Sequence, residues 1–251
     1  MSTEPPPPPL VSPDSEATIT TIRDLEQRWS GWLDTIKQDI TTVYFWRATW
    51  LAVGEILSAN PQVPPSHFFA YMSKTYGTSQ ALAVRRLADP HRRVVSLATL
   101  IKDLTKHAPE ITSEWWVGLQ PNADVRDFGP FEASGTNHFD PDIGSADLAR
   151  LGKAVAQVKK YVDQHLAHRD RNPTKEIPTF GDIHAALDSV GDVFRKYHLL
   201  LTGASWPFMV PVPKPGWPLP FTVPWLPPGS QPPRFRGTIR SASRANDDAW
   251  M

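Results

Sequence analysis

Proline is distributed unevenly along this chain, and its distribution limits which parts can form regular structure. Of 27 prolines in 251 residues, six lie within residues 5–13 and eleven within residues 207–233. Because proline fixes its φ angle and has no backbone N–H, dense runs of it exclude helix and central strand. The other ten prolines are spread over residues 14–206. This central region, about 190 residues long, is large enough for one domain with a hydrophobic core.

The composition excludes several classes of protein. Lys plus Arg equals Asp plus Glu at 26 each, so no global basic field attracts nucleic acid. The absence of cysteine excludes disulfides, thiolate zinc sites, iron–sulfur clusters and cysteine nucleophiles. The first residues lack the charged and apolar regions of a signal peptide. The most apolar run, residues 43–57, contains Arg47 and Glu55 and is too short to span a bilayer. We therefore predict a cytoplasmic protein without membrane contact.

Apolar residues at spacings of three and four predict helices throughout the central region. No segment alternates apolar and polar residues long enough to predict a strand. The sequence therefore predicts an all-α fold, an up-and-down bundle of five or six helices with extended Pro-rich ends. The first two helical runs can form one helix, because neither Gly nor Pro separates them. The predicted runs are 16–37, 40–58, 66–87, 91–107, 109–119, 145–168 and 180–201.

Local signals predict where these helices begin and end. Residues 121–144 are rich in Gly, Pro, Asn and Asp and predict a long loop. The other signals are a break at Gly77, a cap at Asp89 followed by Pro90, a helix start at Ser145 or Asp147, a capping box of Thr179 with Asp182, and a left-handed C-terminal residue at Gly203.

The proline distribution and the helical patterns divide the chain into three segments. We predict a disordered Pro-rich N-terminus at residues 1–15, a helical domain at 16–205 and a Pro-rich, weakly basic tail at 206–251. From residue 207 onward the tail carries five Lys or Arg and two Asp. It also carries Trp217 and Phe221, which are unusual in a free linker. A solvated tail and a tail that docks on the bundle or on a partner protein both remain open.

The richest polar cluster is KKYVDQHLAHRD at residues 159–170. At 100° per residue, Tyr161, His165 and His168 fall within about 60° of each other on one helix face. Two neutral imidazoles near a carboxylate are suited to acid–base chemistry near neutral pH. The structural alternative is a solvated last turn, with His168 favoured near the negative end of the helix dipole. No metal and no other cofactor are predicted, because the two histidines lack the spacing of a zinc protease and a third local ligand.

At this cluster the sequence resembles a known family. Residues 161–170, YVDQHLAHRD, resemble the last-turn signature of HEPN-domain proteins, in particular the branch similar to the AbiU abortive-infection proteins. Residues 80–103 are similar to the middle helices of that branch and residues 180–203 to its closing helix. The resemblance covers residues 19–203 in order. It implies a helical bundle that forms a homodimer through the helix ending at His168.

The resemblance also implies a function. Many HEPN proteins are metal-independent ribonucleases of toxin–antitoxin or phage-defence systems, with a motif of Arg, four to six residues, and His. In such a reaction the RNA 2′-hydroxyl attacks the adjacent phosphate. The His moves a proton, and the Arg stabilises the charge that develops on the phosphoryl oxygens. An active ribonuclease and a non-catalytic RNA-binding, nucleotide-binding or protein-interaction module both remain open.

Carried over to this chain, the motif is incomplete. His168 takes the position of the motif histidine and Asp163 the polar position after the Arg, but Val162 stands where the Arg is expected. A degraded motif is the first interpretation, and Lys160 or Arg169 as a substitute cation is the alternative. With RNA or a nucleotide as ligand, we predict His168 as general acid or base, assisted by His165 and oriented by Asp163, with Lys160, Arg169 and Tyr161 binding the RNA or its phosphate. An antitoxin or a protein that binds the tail is a further predicted partner.

Two other patterns are predicted to be structural. Arg86 and His91 match the motif spacing but lie across a predicted helix junction, so we expect Arg85 and Arg86 to pair with acidic residues or to cap a helix end. Four tryptophans at helical spacing could stack on bases, but such a set more often forms core. They are Trp29, Trp32, Trp46 and Trp50.

Overall fold

The computed structural model describes most of the predicted helical domain. Arg169, the predicted N-terminal segment 1–15 and most of the predicted tail lie outside the described residues. Contacts between Cα atoms divide the chain into two units, residues 1–211 and 212–251. The second unit contains a single described 3-10 turn, Leu219–Phe221. The described residues are 21–64, 66–119, 124–168, 170–207, 209–210, 216–224 and 229.

Six α-helices and one π-helical segment build the described part of the first unit, and this confirms the predicted all-α bundle. No strand occurs among the described residues, which contain only two isolated bridges, Thr112 with His138 and Glu132 with Phe139. None of the described helices is long and apolar enough to cross a membrane. The helices are α1 (Ile22–Ser58), α2 (His67–Leu87), α3 (Leu97–Lys106), α4 (Ser113–Gly118), α5 (Pro141–Tyr161) with the π-helical segment Val162–Leu166, and α6 (Phe180–Thr202).

Helix α5 lies at the centre of the packing. It contacts α3, α6 and α2, while α1 contacts α2, α3 and α6. A partly buried ion pair joins α5 to α6, because Lys196 Nζ and the Tyr197 hydroxyl donate to Asp147 Oδ2 at 2.6 and 3.1 Å. The largest fully buried side chains are Trp29, Tyr197, Phe128, Phe139 and Phe194.

Helix α1 is a single 37-residue helix, as the absence of Gly and Pro between the two predicted runs allowed. Its predicted start near Glu16 is wrong. The helix begins at Ile22 because Thr21 and Asp24 form a reciprocal capping box, in which each side chain accepts from the other's backbone N–H.

Helix α3 begins six residues later than predicted. Asp89 was expected to cap a helix from His91. Its carboxylate does accept from the backbone N–H of His91, and also from Arg85, but no helix follows at residues 91–96. A capping box of Ser96 and Thr99 starts α3 at Leu97.

Helix α5 begins earlier than predicted. Asp140 caps it, so the predicted start at Ser145 or Asp147 is wrong, and Asp147 lies buried inside the helix. Gly144 faces α3, where an added Cβ would lie 2.0 Å from Thr105 Oγ1. Close packing of two helices therefore requires glycine at this position. Part of the predicted loop 121–144 is a 3-10 helix, Val125–Phe131, that buries Phe128 and Phe131.

Of the predictions made for two other glycines, one is wrong and one is confirmed. The predicted break at Gly77 is wrong, because α2 continues through it and an added Cβ would lie 2.8 Å from the Phe180 ring. Gly203 ends α6 in the left-handed region at φ 61°, as predicted. Beyond it, Trp206 packs edge-on against Phe194, and Met209 is buried. Packed residues therefore continue past the segment boundary expected after residue 205.

Candidate functional site

The C-terminal ends of α2 and α5 lie side by side, joined by a network of charged side chains. Arg85 Nε on α2 donates to Asp163 Oδ1 at 2.9 Å, and Lys159 Nζ donates to Asp163 Oδ2 at 2.8 Å. Arg85 Nη1 also donates to Asp89 Oδ2 at 2.7 Å. Arg85 is therefore fixed between two carboxylates, one just past the end of α2 and one in the π-helical segment that follows α5.

Positive charge accumulates where these two helices end. Residues 85–93 and 159–168, called the basic end from here on, contain six Arg or Lys, two Asp and three His. The formal charge of the whole chain is zero, so this excess is local. Arg92, Arg93 and Lys160 are exposed. Cations are favoured at helix C-termini by the helix dipole, which offsets part of the repulsion among these charges.

The network fixes the protonation states of its members. Partial burial raises the pKa of Asp163, but the hydrogen bonds and charges of Lys159 and Arg85 outweigh it and hold this pKa below its ordinary value. The hydrogen bond to Asp163 raises the pKa of Arg85. Asp163 is therefore a carboxylate at neutral pH, which suits it to holding cations in place and not to donating a proton.

The position predicted for the motif arginine is in the core. Val162 is 0% exposed and packs in the same core as Val155 and Val158. It begins the π-helical segment, in which the Ala167 N–H donates to the Val162 carbonyl oxygen at 2.8 Å. A cation cannot occupy this position without entering the core.

Arg85 is the guanidinium that the structure brings to Asp163, and the sequence interpretation did not include it in the site. The two residues are 78 positions apart, so only the fold reveals the contact. The structure also pairs Arg85 with Asp89, four residues on, a spacing at which side chains near a helix end can meet. The prediction that Arg85 and Arg86 pair with acidic residues is confirmed, since Arg86 binds Asp39 at 2.9 Å.

His165 has a structural contact. Its ring stacks on Tyr161 with centroids 5.2 Å apart and an interplanar angle of 29°. Its Nε2 donates to the carbonyl oxygen of Thr174 at 2.9 Å, while Gln164 Oε1 accepts from the Thr174 N–H. One ring nitrogen of His165 is thus occupied in holding the connection from α5 to α6.

His168 lies on the surface after the π-helical segment. It is exposed and, among the described residues, makes no hydrogen bond or ring contact. Tyr161 and His165 of the predicted face are in contact, and His168 lies after the π-helical segment, where the helix has ended. Lys160 is exposed and, within the same described residues, forms no ion pair. In this part of the chain no three His, Asp or Glu side chains converge on a position for a metal ion.

Comparison with known families assigns this arrangement to a family. The family model for AbiU2, named HEPN_AbiU2, matches residues 40–213. The chain belongs to the HEPN_AbiU2 family. The resemblance to AbiU-type HEPN proteins is therefore confirmed. No curated protein and no solved structure matches the chain significantly.

The match shows which parts of this HEPN_AbiU2 protein are family features. It begins inside α1 at Ile40 and continues through α6 to residue 213, so it includes the whole basic end. It also includes Trp206 and Met209, which pack on the bundle after α6. The first half of α1 lies outside the match. Family membership makes the chain an abortive-infection-related HEPN module.

Proposed function

We propose that this HEPN_AbiU2 protein binds RNA through the basic end and acts in a prokaryotic defence or toxin–antitoxin system. The observation that carries the proposal is the contact of Arg85 with Asp163, because it joins two positively charged segments into one surface. RNA is a polyanion, and each Lys or Arg that neutralises a phosphate releases condensed counterions. A local basic surface suits such a ligand even though the whole chain has no net charge.

Arg85 is suited to bind a phosphate group. Its Nε and Nη1 are occupied by Asp163 and Asp89, whereas Nη2 makes no hydrogen bond among the described residues. Its side chain is 35% exposed. Because two carboxylates already fix the guanidinium plane, little conformational entropy is lost when a phosphate oxygen accepts from Nη2.

A metal-independent endoribonuclease is the second candidate, and the exposed imidazole of His168 favours it. In that reaction the RNA 2′-oxygen forms a bond to phosphorus while the bond from phosphorus to the 5′-oxygen breaks. A base removes the 2′-hydroxyl proton, and an acid protonates the departing 5′-oxygen. His168 is the candidate for one of these roles. His165 is less suited to it, because its Nε2 is bound to the Thr174 carbonyl oxygen.

RNA affinity tests the binding proposal. Fluorescence anisotropy with a labelled single-stranded RNA would compare the full chain with Arg85→Ala and with Arg126→Ala as matched control. Arg126 is 88% exposed and pairs with Asp124 outside the basic end. We expect Arg85→Ala to weaken binding about tenfold through loss of a charge-assisted contact, and Arg126→Ala to leave it unchanged. Equal affinities for the two variants, or no binding by the wild type, would overturn the proposal.

Cleavage is measured separately. The full chain would be incubated with the same RNA in EDTA and the products examined for 2′,3′-cyclic phosphate ends. The ribonuclease proposal expects such ends from the wild type and a loss of most activity in His168→Ala. RNA binding without cleavage would leave the binding proposal intact and reject the ribonuclease. An antitoxin partner is a further proposal, and it rests on the family alone.

A further inference from the structure

Asp89, just past the end of α2, binds two separate parts of the basic end with one carboxylate. Its Oδ2 accepts from Arg85 Nη1 at 2.7 Å, and its Oδ1 accepts from the backbone N–H of His91 at 3.0 Å. The first contact fixes a side chain of α2, and the second fixes the start of the connection to α3. Both carboxylate oxygens are therefore occupied, and the side chain is only 18% exposed.

The connection from α2 to α3 presents two arginines on a tight turn. The Val94 N–H donates to the His91 carbonyl oxygen at 3.1 Å, which closes a four-residue turn with Arg92 and Arg93 at its central positions. Both arginines are exposed, and among the described residues neither forms an ion pair. Residues 91–94 are called the basic turn from here on. Because Asp89 binds the first residue of this turn, it also determines where the two arginines lie.

The backbone on both sides of the basic turn is fixed to the start of α3. Ser96 Oγ donates to the Asp89 carbonyl oxygen, and Thr99 Oγ1 donates to the Val94 carbonyl oxygen at 3.0 Å. These two bonds hold the turn against α3, while the Asp89 carboxylate joins it to Arg85 on α2.

The Arg85 guanidinium and the basic turn are thus separated by one carboxylate and two hydrogen bonds. A nucleic-acid strand carries a phosphate at every nucleotide, at short and regular intervals. A strand with consecutive phosphates can therefore contact both cationic groups at once, whereas a single nucleotide has no second phosphate along a strand to offer.

We propose that Asp89 is a positioning residue of the basic end. It holds Arg85 and the basic turn at a fixed separation, so that consecutive phosphates of one RNA strand bind to both. The inference rests on the proposed function, because it names how that same site holds its ligand. Asp89 itself does not bind the RNA. It favours binding because the cations are already ordered before the RNA arrives.

Charge alone predicts the opposite effect when Asp89 is removed. A carboxylate repels a polyanion, so a variant without it would bind RNA more tightly if only the local charge mattered. If Asp89 positions the cations, the same variant binds RNA more weakly, because the ligand must then order Arg85 and the basic turn itself. The direction of the change in affinity therefore distinguishes the two effects.

Fluorescence anisotropy with the full chain and a short single-stranded RNA measures this direction. We expect Asp89→Ala to weaken binding about fivefold, since side chains that were ordered become free. Asp89→Asn removes the same charge but keeps an acceptor for the His91 N–H, so its affinity should lie between those of the wild type and Asp89→Ala. If Asp89→Ala loses helix content by circular dichroism, Asp89→Asn alone decides the direction.

Asp170→Ala is the matched control for the loss of a negative charge. Asp170 is exposed two residues after the basic end, and its carboxylate accepts from the Asn172 N–H and binds no cation among the described residues. Its removal should leave the RNA affinity unchanged or raise it slightly.

Two further measurements test whether Asp89 acts through the cations. In the Arg85→Ala background, Asp89→Ala should weaken binding less than in the wild type, because Arg85 is no longer there to be held. The slope of log affinity against log salt should become shallower in Asp89→Ala, because fewer phosphates are bound at once.

The outcomes separate this inference from the proposed function. Wild-type RNA binding that Asp89→Ala and Asp89→Asn leave unchanged or strengthen would overturn the inference and leave RNA binding at the basic end intact. No RNA binding by the wild type would overturn both.

Discussion

The basic end and residues 51–75, called the arm from here on, both lie outside the core, and they are built from opposite chemistry. The basic end concentrates six Arg or Lys with two Asp, whereas two charged residues stand among the 25 of the arm. Charges at helix ends are stabilised within one molecule by carboxylates such as Asp163 and by the helix dipoles. Exposed apolar side chains are stabilised by burial against another surface. This difference is the basis of the proposal that the basic end, and not the arm, binds an anionic ligand.

The largest effect is expected from placing an arginine where the family motif would have it. Val162→Arg puts a cation into the core behind the basic end, and the unpaired charge should lower the free energy of unfolding by about 3–5 kcal/mol. Thermal denaturation measures this loss. Ala156→Arg, an exposed position of the same helix, is the control and should change stability little. A stable Val162→Arg protein with increased RNA cleavage would mean that the site uses position 162 and not Arg85.

The next effect concerns the charge of the basic end alone. Exchanging both exposed arginines, Arg92→Glu with Arg93→Glu, should weaken binding of a short RNA about 100-fold near 0.1 M salt. The slope of log affinity against log salt should become shallower, because fewer counterions are released. The helix content of this double variant by circular dichroism should match the wild type. An unchanged RNA affinity would contradict the role given to the basic end.

The smallest effect separates the regions by pH. The Tyr76 hydroxyl and His184 Nε2 are 2.6 Å apart at the base of the arm, and burial, followed by the Arg47 charge, lowers the pKa of His184. Because the folded protein binds this proton more weakly than the unfolded chain, stability there falls as pH drops below about 6.5. The pKa of Asp163 is also lowered, but for a carboxylate the loss comes only below about pH 4.

Local hydrogen exchange at pH 7.5 and 5.5, corrected for intrinsic rates, measures this difference. Peptides from α1 and α2 around Trp50 and Tyr76 should exchange about twofold faster at the lower pH, while those around Asp163 stay unchanged. In His184→Gln the pH dependence at the arm base should disappear. Equal changes in exchange rate in the two regions would show that protonation of His184 does not selectively destabilise the helices around Trp50 and Tyr76.

The sequence was sufficient for the fold class but not for every helix boundary. Spacings of three and four predicted the α-helices, and the capping box of Thr179 and Asp182 and the left-handed Gly203 are observed as predicted. The start of α3 was missed because the sequence offers two local caps: Asp89 accepts from the His91 N–H, but the reciprocal box of Ser96 and Thr99 begins the helix. Capping signals alone did not show which of the two starts it.

The site was harder to predict than the fold. Periodicity correctly brought Tyr161 and His165 together, but the helix ends before His168 in a π-helical segment, which no spacing rule anticipates. The contact of Arg85 with Asp163 joins two helices far apart in sequence. Sequence spacing could therefore identify the site residues that follow α5, but not Arg85 on α2.

Helix α1 shows a different limit of periodicity. Trp29 is fully buried as predicted for a core residue, whereas Trp46 is 45% exposed, so its assignment to the core is wrong. Both lie on α1 at helical spacing. The apolar face of a long helix shows which side is expected to pack against another surface, but not whether that surface belongs to the same chain.

Hydrogen exchange of the full chain with and without a short single-stranded RNA tests the division between the two regions most directly. If RNA binds at the basic end, saturating RNA should slow exchange in peptides covering residues 85–93 and 159–168. Exchange in the arm, residues 51–75, should stay unchanged. Protection of the arm by RNA with none at the basic end would contradict this prediction.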